Sequence, residues 1–180
     1  MIQSTAFVDP KAVIRSLPVQ PKGVVVDFGC GAGYFAVEFA KAVGDDGNVI
    51  AIDVLPSALE AMQSRIKTEG LRNIAVKRAN LERANGSGLE SASVDWIIAK
   101  DVLFQNAKKD ILINEIARVL RPGGQAIVME WSPVAGGAIG PDAELRVPQS
   151  ELKGLLQSAG FSAINDLPVG AFHYAFLVTK

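Results

Sequence analysis

Val26-Asp27-Phe28-Gly29-Cys30-Gly31-Ala32-Gly33 is the most informative stretch of the chain. Before it, Gly23-Val-Val-Val-Asp27-Phe28 is a β-branched run between turn signals, the pattern of a buried strand. After it, Ala36, Val37, Phe39, Ala40 and Val43 recur at helical spacing until Gly44 stops the helix. A glycine loop therefore joins a strand to a helix. Glycines there allow a tight turn and let a ligand approach the backbone with no Cβ in the way. The helix N-terminus adds unpaired N–H groups and a partial positive charge.

Working outward, the alternation continues. Val49–Asp53 reads as a second buried strand, and a helix opens at Pro56 and ends at Gly70. Ile74–Arg78 is a third strand, Asn80–Ser93 a polar loop and Val94–Ala99 a fourth strand. Ile111, Leu112, Ile116, Val119 and Leu120 form one face of a helix over Lys109–Leu120, which Arg121-Pro-Gly-Gly124 ends. Gln125–Trp131 is a fifth strand, Pro133–Pro148 a loop and Glu151–Ala159 a helix; strand candidates follow near Phe161–Leu167 and Phe172–Thr179. The connection Pro168–Ala171 is too short for a parallel crossover, which needs about a dozen residues, so the last pair must be an antiparallel hairpin. The expected fold is α/β: a Rossmann-like, doubly wound, mostly parallel sheet of seven strands ending in that hairpin. The 180 residues are expected to form a single domain, with 1–22 a short helix and lid segment.

The residues around the loop bear on its ligand. A dinucleotide fingerprint can be read at Gly31, Gly33 and Ala36, but the register starting at Gly29 fails at Tyr34. Asp27 is a poor neighbour for a pyrophosphate, because like charges repel, and a good one for an ammonium group. Asp53 ends the second strand, placed to accept from two ribose hydroxyls. An amine, a carboxylate and a ribose together describe S-adenosylmethionine (SAM) better than NAD.

Val25-Val-Asp27-Phe-Gly-Cys-Gly-Ala-Gly33, with Asp53, resembles the class I SAM-dependent methyltransferase family. Val94-Asp-Trp-Ile-Ile-Ala99 is similar to that family's fourth strand, and Ile116-Ala-Arg-Val-Leu-Arg-Pro-Gly-Gly124 to the stretch before its fifth. The resemblance covers nearly the whole chain, closing hairpin included. It implies that Asp27 and the backbone around Gly29 and Cys30 hold the methionine ammonium, and that Gly31 and Gly33 let the loop pass under the cofactor. It implies that Asp53 takes the ribose hydroxyls and Val54 packs on the adenine. Asn80 and Leu81 match the adenine-edge position, where many members have Asp; Asn80 can still accept through its carbonyl oxygen. Lys100 would contribute backbone contacts near the methionine end. The product would be S-adenosylhomocysteine (SAH). Chain-wide, the sequence is similar to the small-molecule branch, including quinone-biosynthesis C- and O-methyltransferases.

Catalytic candidates are Asp101 and His173. Asp101 follows the fourth strand, at the sheet edge where such folds bind ligands, as a general base, a substrate orienter or simply a cap. An antiparallel last strand begins at that edge, so His173 is a proton acceptor or a structural histidine. Phe104, Gln105 and Trp131 either line the pocket or pack the fold. Cys30 reads better as a small side chain in a crowded loop than as a nucleophile.

Composition narrows the classes. The chain is 49% apolar and 21% charged, enough apolar material for a core. A net charge of −1 argues against a nucleic-acid partner. One Cys excludes a disulfide framework and a multi-thiol arsenite mechanism; one His excludes two-His metal motifs, and no metal is expected. No run approaches the ~20 apolar residues of a membrane span, and no leader peptide is apparent, so the expected setting is the cytoplasm. The expected partner is a small-molecule substrate. Residues 1–22 or a partner subunit, in a homodimer, would close the pocket. Two other readings stand beside methyl transfer: an NAD-dependent oxidoreductase and a non-catalytic SAM-binding module.

Overall fold

A computed structural model describes residues 7–134 and 139–180. Its elements run α1 (Pro10–Arg15), β1 (Val24–Phe28), α2 (Tyr34–Val43), β2 (Asn48–Asp53), α3 (Pro56–Glu69), β3 (Ile74–Arg78), β4 (Val94–Lys100), α4 (Lys109–Val119), β5 (Leu120–Trp131), α5 (Gln149–Ser158), β6 (Ala163–Leu167) and β7 (His173–Thr179). The strands form one sheet in the order β3-β2-β1-β4-β5-β7-β6. β1 to β5 pair in parallel, and β7 runs antiparallel to both β5 and β6. The expected seven-stranded sheet and closing hairpin are therefore present.

Alternation along the central strands sends side chains to two apolar layers. Val26, Phe28 and Ile97 join α4 and α5 through Leu112, Ile116, Leu152 and Leu156. Val25 and Ile98 join α1, α2 and α3 through Val13, Phe39 and Met62. Burial on both sides is why these strands read as unbroken apolar runs. No helix among the described residues is long and apolar enough to cross a membrane.

One boundary differs instructively. Arg121-Pro-Gly-Gly124, expected to separate helix from strand, lies inside β5. Pairing with β4 jumps from Val94↔Leu120 to Trp96↔Gln125, so these residues form a bulge. The chain end holds it: Gly123 N–H donates to the Lys180 carbonyl, and Lys180 N–H to that of Gly124, each at 3.0 Å. Turn composition stops the helix, but a partner 57 positions later in the sequence decides that the segment joins the sheet. In the expected N-terminal segment α1 is present, capped by the Asp9 carboxylate on Lys11 and Ala12 N–H. Residues 1–6 lie outside the described residues, as do 135–138 of the expected loop.

The strand order reverses direction between β1 and β4. A crevice opens there, outside the carboxyl ends of the strands, where open α/β sheets bind ligands.

Candidate active site

A cleft of about 920 Å³ occupies this crevice. Its walls come from the ends of β1 to β5, the start of β7 and the segment before α1. Every cofactor-binding residue expected from the sequence except Gly33 lines it, as do Asp101 and His173. Gly33 sits behind the wall as the left-handed N-cap of α2 at φ 77°.

Gly29, Gly31 and Gly33 all have positive φ. A Cβ at Gly33 would fall 1.8 Å from Met62 Sδ, so this glycine lets α3 pack against the loop. Three donors of the bend are already engaged. Gly29 and Cys30 N–H both donate to the Ile52 carbonyl, at 2.8 and 2.9 Å. Gly31 N–H donates to Asp53 Oδ2 at 3.0 Å, and Asp53 Oδ1 accepts from Leu55 N–H at 3.0 Å. A phosphate would have to displace these bonds and lie beside carboxylates. Each Asp53 oxygen keeps a second lone pair, which suits hydroxyl donors. Val54 and Leu55 stay exposed beside it, an apolar floor for a flat ring.

Asp27 is buried at the end of β1, and its Oδ2 accepts from Ala36 N–H in the first turn of α2 at 3.1 Å. This bond ties the end of β1 to the start of α2. Burial pushes its pKa up to about 7; the Ala36 bond opposes this, the Asp53 charge adds to it and Lys100 lowers it. An arriving cation would relieve that unfavourable burial. Burial, with the charges of Asp27 and Asp53, also pushes the Cys30 thiol up, which leaves it a poor nucleophile. Asn80 Oδ1 accepts from Glu82 N–H at 2.9 Å, closing a local turn, with one lone pair left for an adenine edge. Leu81 is buried in the core below it.

Asp101 and His173 lie far apart in sequence and meet here. His173 Nε2 is 3.1 Å from Asp101 Oδ1 and 3.2 Å from Oδ2, and Lys100 Nζ also bonds that carboxylate. The His173 ring stacks on Trp131 with centroids 4.2 Å apart. Of its neighbours, Tyr174 turns to the other face and donates to the Val147 carbonyl at 2.8 Å, while Phe172 packs on Phe7. Phe7, Val8 and Pro10 line the cleft.

The role of Glu130 beneath the site was not legible, although the sequence sets this acid alongside Asp101. Glu130 is fully buried, and its Oε1 accepts from Val102 and Leu103 N–H at 3.0 and 2.7 Å, pinning the loop after β4. Burial pushes its pKa to about 7, against the Leu103 bond and with help from the Asp101 charge. The signal was an acid interrupting the apolar run Ala126–Met129. Tyr34 was also missed: it lines the cleft under the Arg65 guanidinium, 3.9 Å from its ring centroid. Among the described residues, no group of three or more His, Cys, Asp or Glu could hold a metal ion.

Comparison with known proteins agrees with this geometry. The sequence model of a family described as "Methyltransferase domain" matches residues 20–159. The chain belongs to this methyltransferase-domain family. The family match spans the glycine bend and both aspartates. Among curated relatives, the ubiquinone/menaquinone biosynthesis C-methyltransferase UbiE of Haemophilus ducreyi is 28% identical over 172 residues, covering 78% of this chain and 65% of its own. The arsenite methyltransferase of Halobacterium salinarum is 27% identical, covering 89% of this chain and 42% of its own. The methyltransferase domain described here thus spans less than two thirds of either relative. Among solved structures, a SAM-dependent methyltransferase from Aquifex aeolicus superposes with a TM-score of 0.85 at 22% identity, over 99% of this chain and 93% of that one. That likeness establishes the shared fold.

Proposed function

We propose that this protein transfers a methyl group from SAM to a small-molecule acceptor and releases SAH. The observation that carries the reading is the state of the glycine bend: the N–H groups of Gly29, Cys30 and Gly31 are committed to Ile52 and Asp53, and two carboxylates stand beside it. Such a bend suits a cationic nucleoside and repels a diphosphate, which disfavours the NAD-dependent reading. Family membership and the methyl-transferring relatives support the same choice.

The residues present fit the cofactor. Asp53 would hold the ribose hydroxyls, Val54 and Leu55 would pack the adenine, and Asn80 and the Leu81 backbone would meet its edge. Asp27 and the backbone of Gly29, Cys30, Gly31 and Lys100 would surround the methionine end, with Gly33 shaping the bend. When bound, SAM supplies a methyl group already activated on a sulfonium. The chain's task is to align an acceptor with that methyl and keep water out. Phe7 and Val8 contribute to exclusion from one side, Trp131 and His173 from another. A non-catalytic module is disfavoured by the polar group gathered at Asp101. We further propose that the chain acts as one domain in the cytoplasm, alone or as a homodimer.

Asp27 offers a direct test. Its raised pKa means that below about pH 7 the free protein carries a proton there. An ammonium beside it would drive that proton off. At pH 6, where the ligand's α-amino group is charged, SAM binding is expected to release most of a proton. Affinity should fall as pH drops below about 7, by up to tenfold per pH unit. Titration calorimetry in two buffers of different ionisation enthalpy measures the release. Asp27→Asn should bind more weakly and release none. Unchanged proton release in that variant would remove Asp27 from the ammonium site.

A further inference from the structure

We infer that Asp101 takes the proton from the methyl acceptor, that His173 is its positioning residue, and that the acceptor presents a hydroxyl group; this rests on the methyl-transfer reading above. The first support is backbone strain held from every side. Asp101 is a non-glycine residue at φ 57°, a left-handed conformation that persists where the surroundings enforce it. Here they do. Asp101 N–H donates to the Met129 carbonyl at 2.9 Å, and its own carbonyl accepts from Gln105 Nε2 at 2.8 Å. The next two N–H groups are fixed by the buried Glu130. This aims the Asp101 side chain at the cleft wall between Lys100 and His173.

The second support is the proton inventory of His173. Its Nδ1 is buried with no hydrogen-bond partner among the described residues. An imidazolium, or a neutral ring protonated on Nδ1, would bury an unpaired N–H there. A neutral ring protonated on Nε2 leaves only a lone pair, the least costly arrangement. His173 then donates to Asp101 and has no basic nitrogen facing it. The ring, fixed by Trp131, orients the carboxylate, and Asp101 is the member of the pair able to receive a proton.

The third support is chemical. A carboxylate is a far weaker base than an amine. It cannot deprotonate a methylated amine, whose ammonium keeps its proton to a pKa of about 10. It suffices for a hydroxyl, whose proton becomes strongly acidic as the new C–O bond forms. In the step the acceptor O–H bond breaks and its proton passes to an Asp101 oxygen. The oxygen's electron pair forms the bond to the methyl carbon, and the sulfur of the methyl donor keeps the S–C pair.

The sole histidine makes the arrangement directly observable. Long-range ¹H–¹⁵N correlation on the full chain with SAH at pH 7.5 should show a neutral ring protonated on Nε2. Protonation on Nδ1, or an imidazolium, would overturn the assignment. In parallel, methyl transfer from SAM is measured to catechol, benzylamine and thiophenol. Catechol should be the preferred probe. Asp101→Asn should lower its rate by roughly 10²–10⁴-fold with SAM affinity retained. His173→Ala should lower the rate about tenfold, and His173→Gln, which restores an N–H donor, should recover most of it. Preference for the amine or thiol, no transfer to catechol by a protein that binds SAM, or an Asp101→Asn variant that folds, binds SAM and stays active would each contradict the inference. Failure of the unaltered protein to bind SAM would instead refute methyl transfer itself, and this inference with it.

Discussion

Gly33→Ala is expected to destabilise the fold by about 2–5 kcal/mol, combining a left-handed penalty of about 1–2 with overpacking of about 1–3. Both terms have a visible origin. Position 33 sits at φ 77°, and a Cβ there would fall 1.8 Å from the sulfur of Met62, itself fully buried. Met62, on α3, would have to leave its packing in the layer it shares with α2, or the bend would have to open. For a chain of this size the midpoint of thermal unfolding should drop by roughly 5–15 °C. By contrast, no atom of the described residues lies within 4 Å of a Cβ at Gly31, so Gly31→Ala should incur only the backbone penalty. Equal losses at the two positions would mean that close approach of α3 is not what position 33 provides.

Asp53→Ala is expected to weaken SAM binding by about 1–3 kcal/mol, the scale of a hydrogen bond to a charged group. That is roughly 5- to 150-fold in the dissociation constant. Two effects add. The ribose hydroxyls lose their acceptor, and Gly31 and Leu55 N–H lose theirs, so the bend beneath the ligand loosens. Calorimetric titration with SAM measures the loss, and thermal unfolding of the variant confirms that it folds. An unchanged affinity in the folded variant would place the ribose elsewhere.

How far the sequence carried the reading depended on the range of the forces involved. Strands buried on both faces announced themselves as apolar runs, and Gly44 and Gly70 marked helix ends, because those signals are local. The hairpin followed from the shortness of 168–171. The glycine bend was legible because a strand-turn-helix unit sets its own geometry within a few residues, and the position of Asp53 followed from the end of the second strand. The bulge at 121–124 was not, since its hydrogen bonds come from Lys180. The pairing of Asp101 with His173 was equally hidden: each was singled out alone, but only the order of β4, β5 and β7 in the sheet brings them together. Glu130 showed as an acid in an apolar strand, without any indication of which amides it would hold. Tyr34 and Arg65 form a pair through the packing of α2 against α3, which no local pattern encodes.

The decisive measurement is a pair of calorimetric titrations, SAM and NAD, against the same preparation at pH 7.5. If carboxylates set beside the glycine bend choose the ligand, SAM binds at least 100-fold more tightly and NAD does not displace it. Tighter binding of NAD, or displacement of SAM by it, would contradict the account at its root.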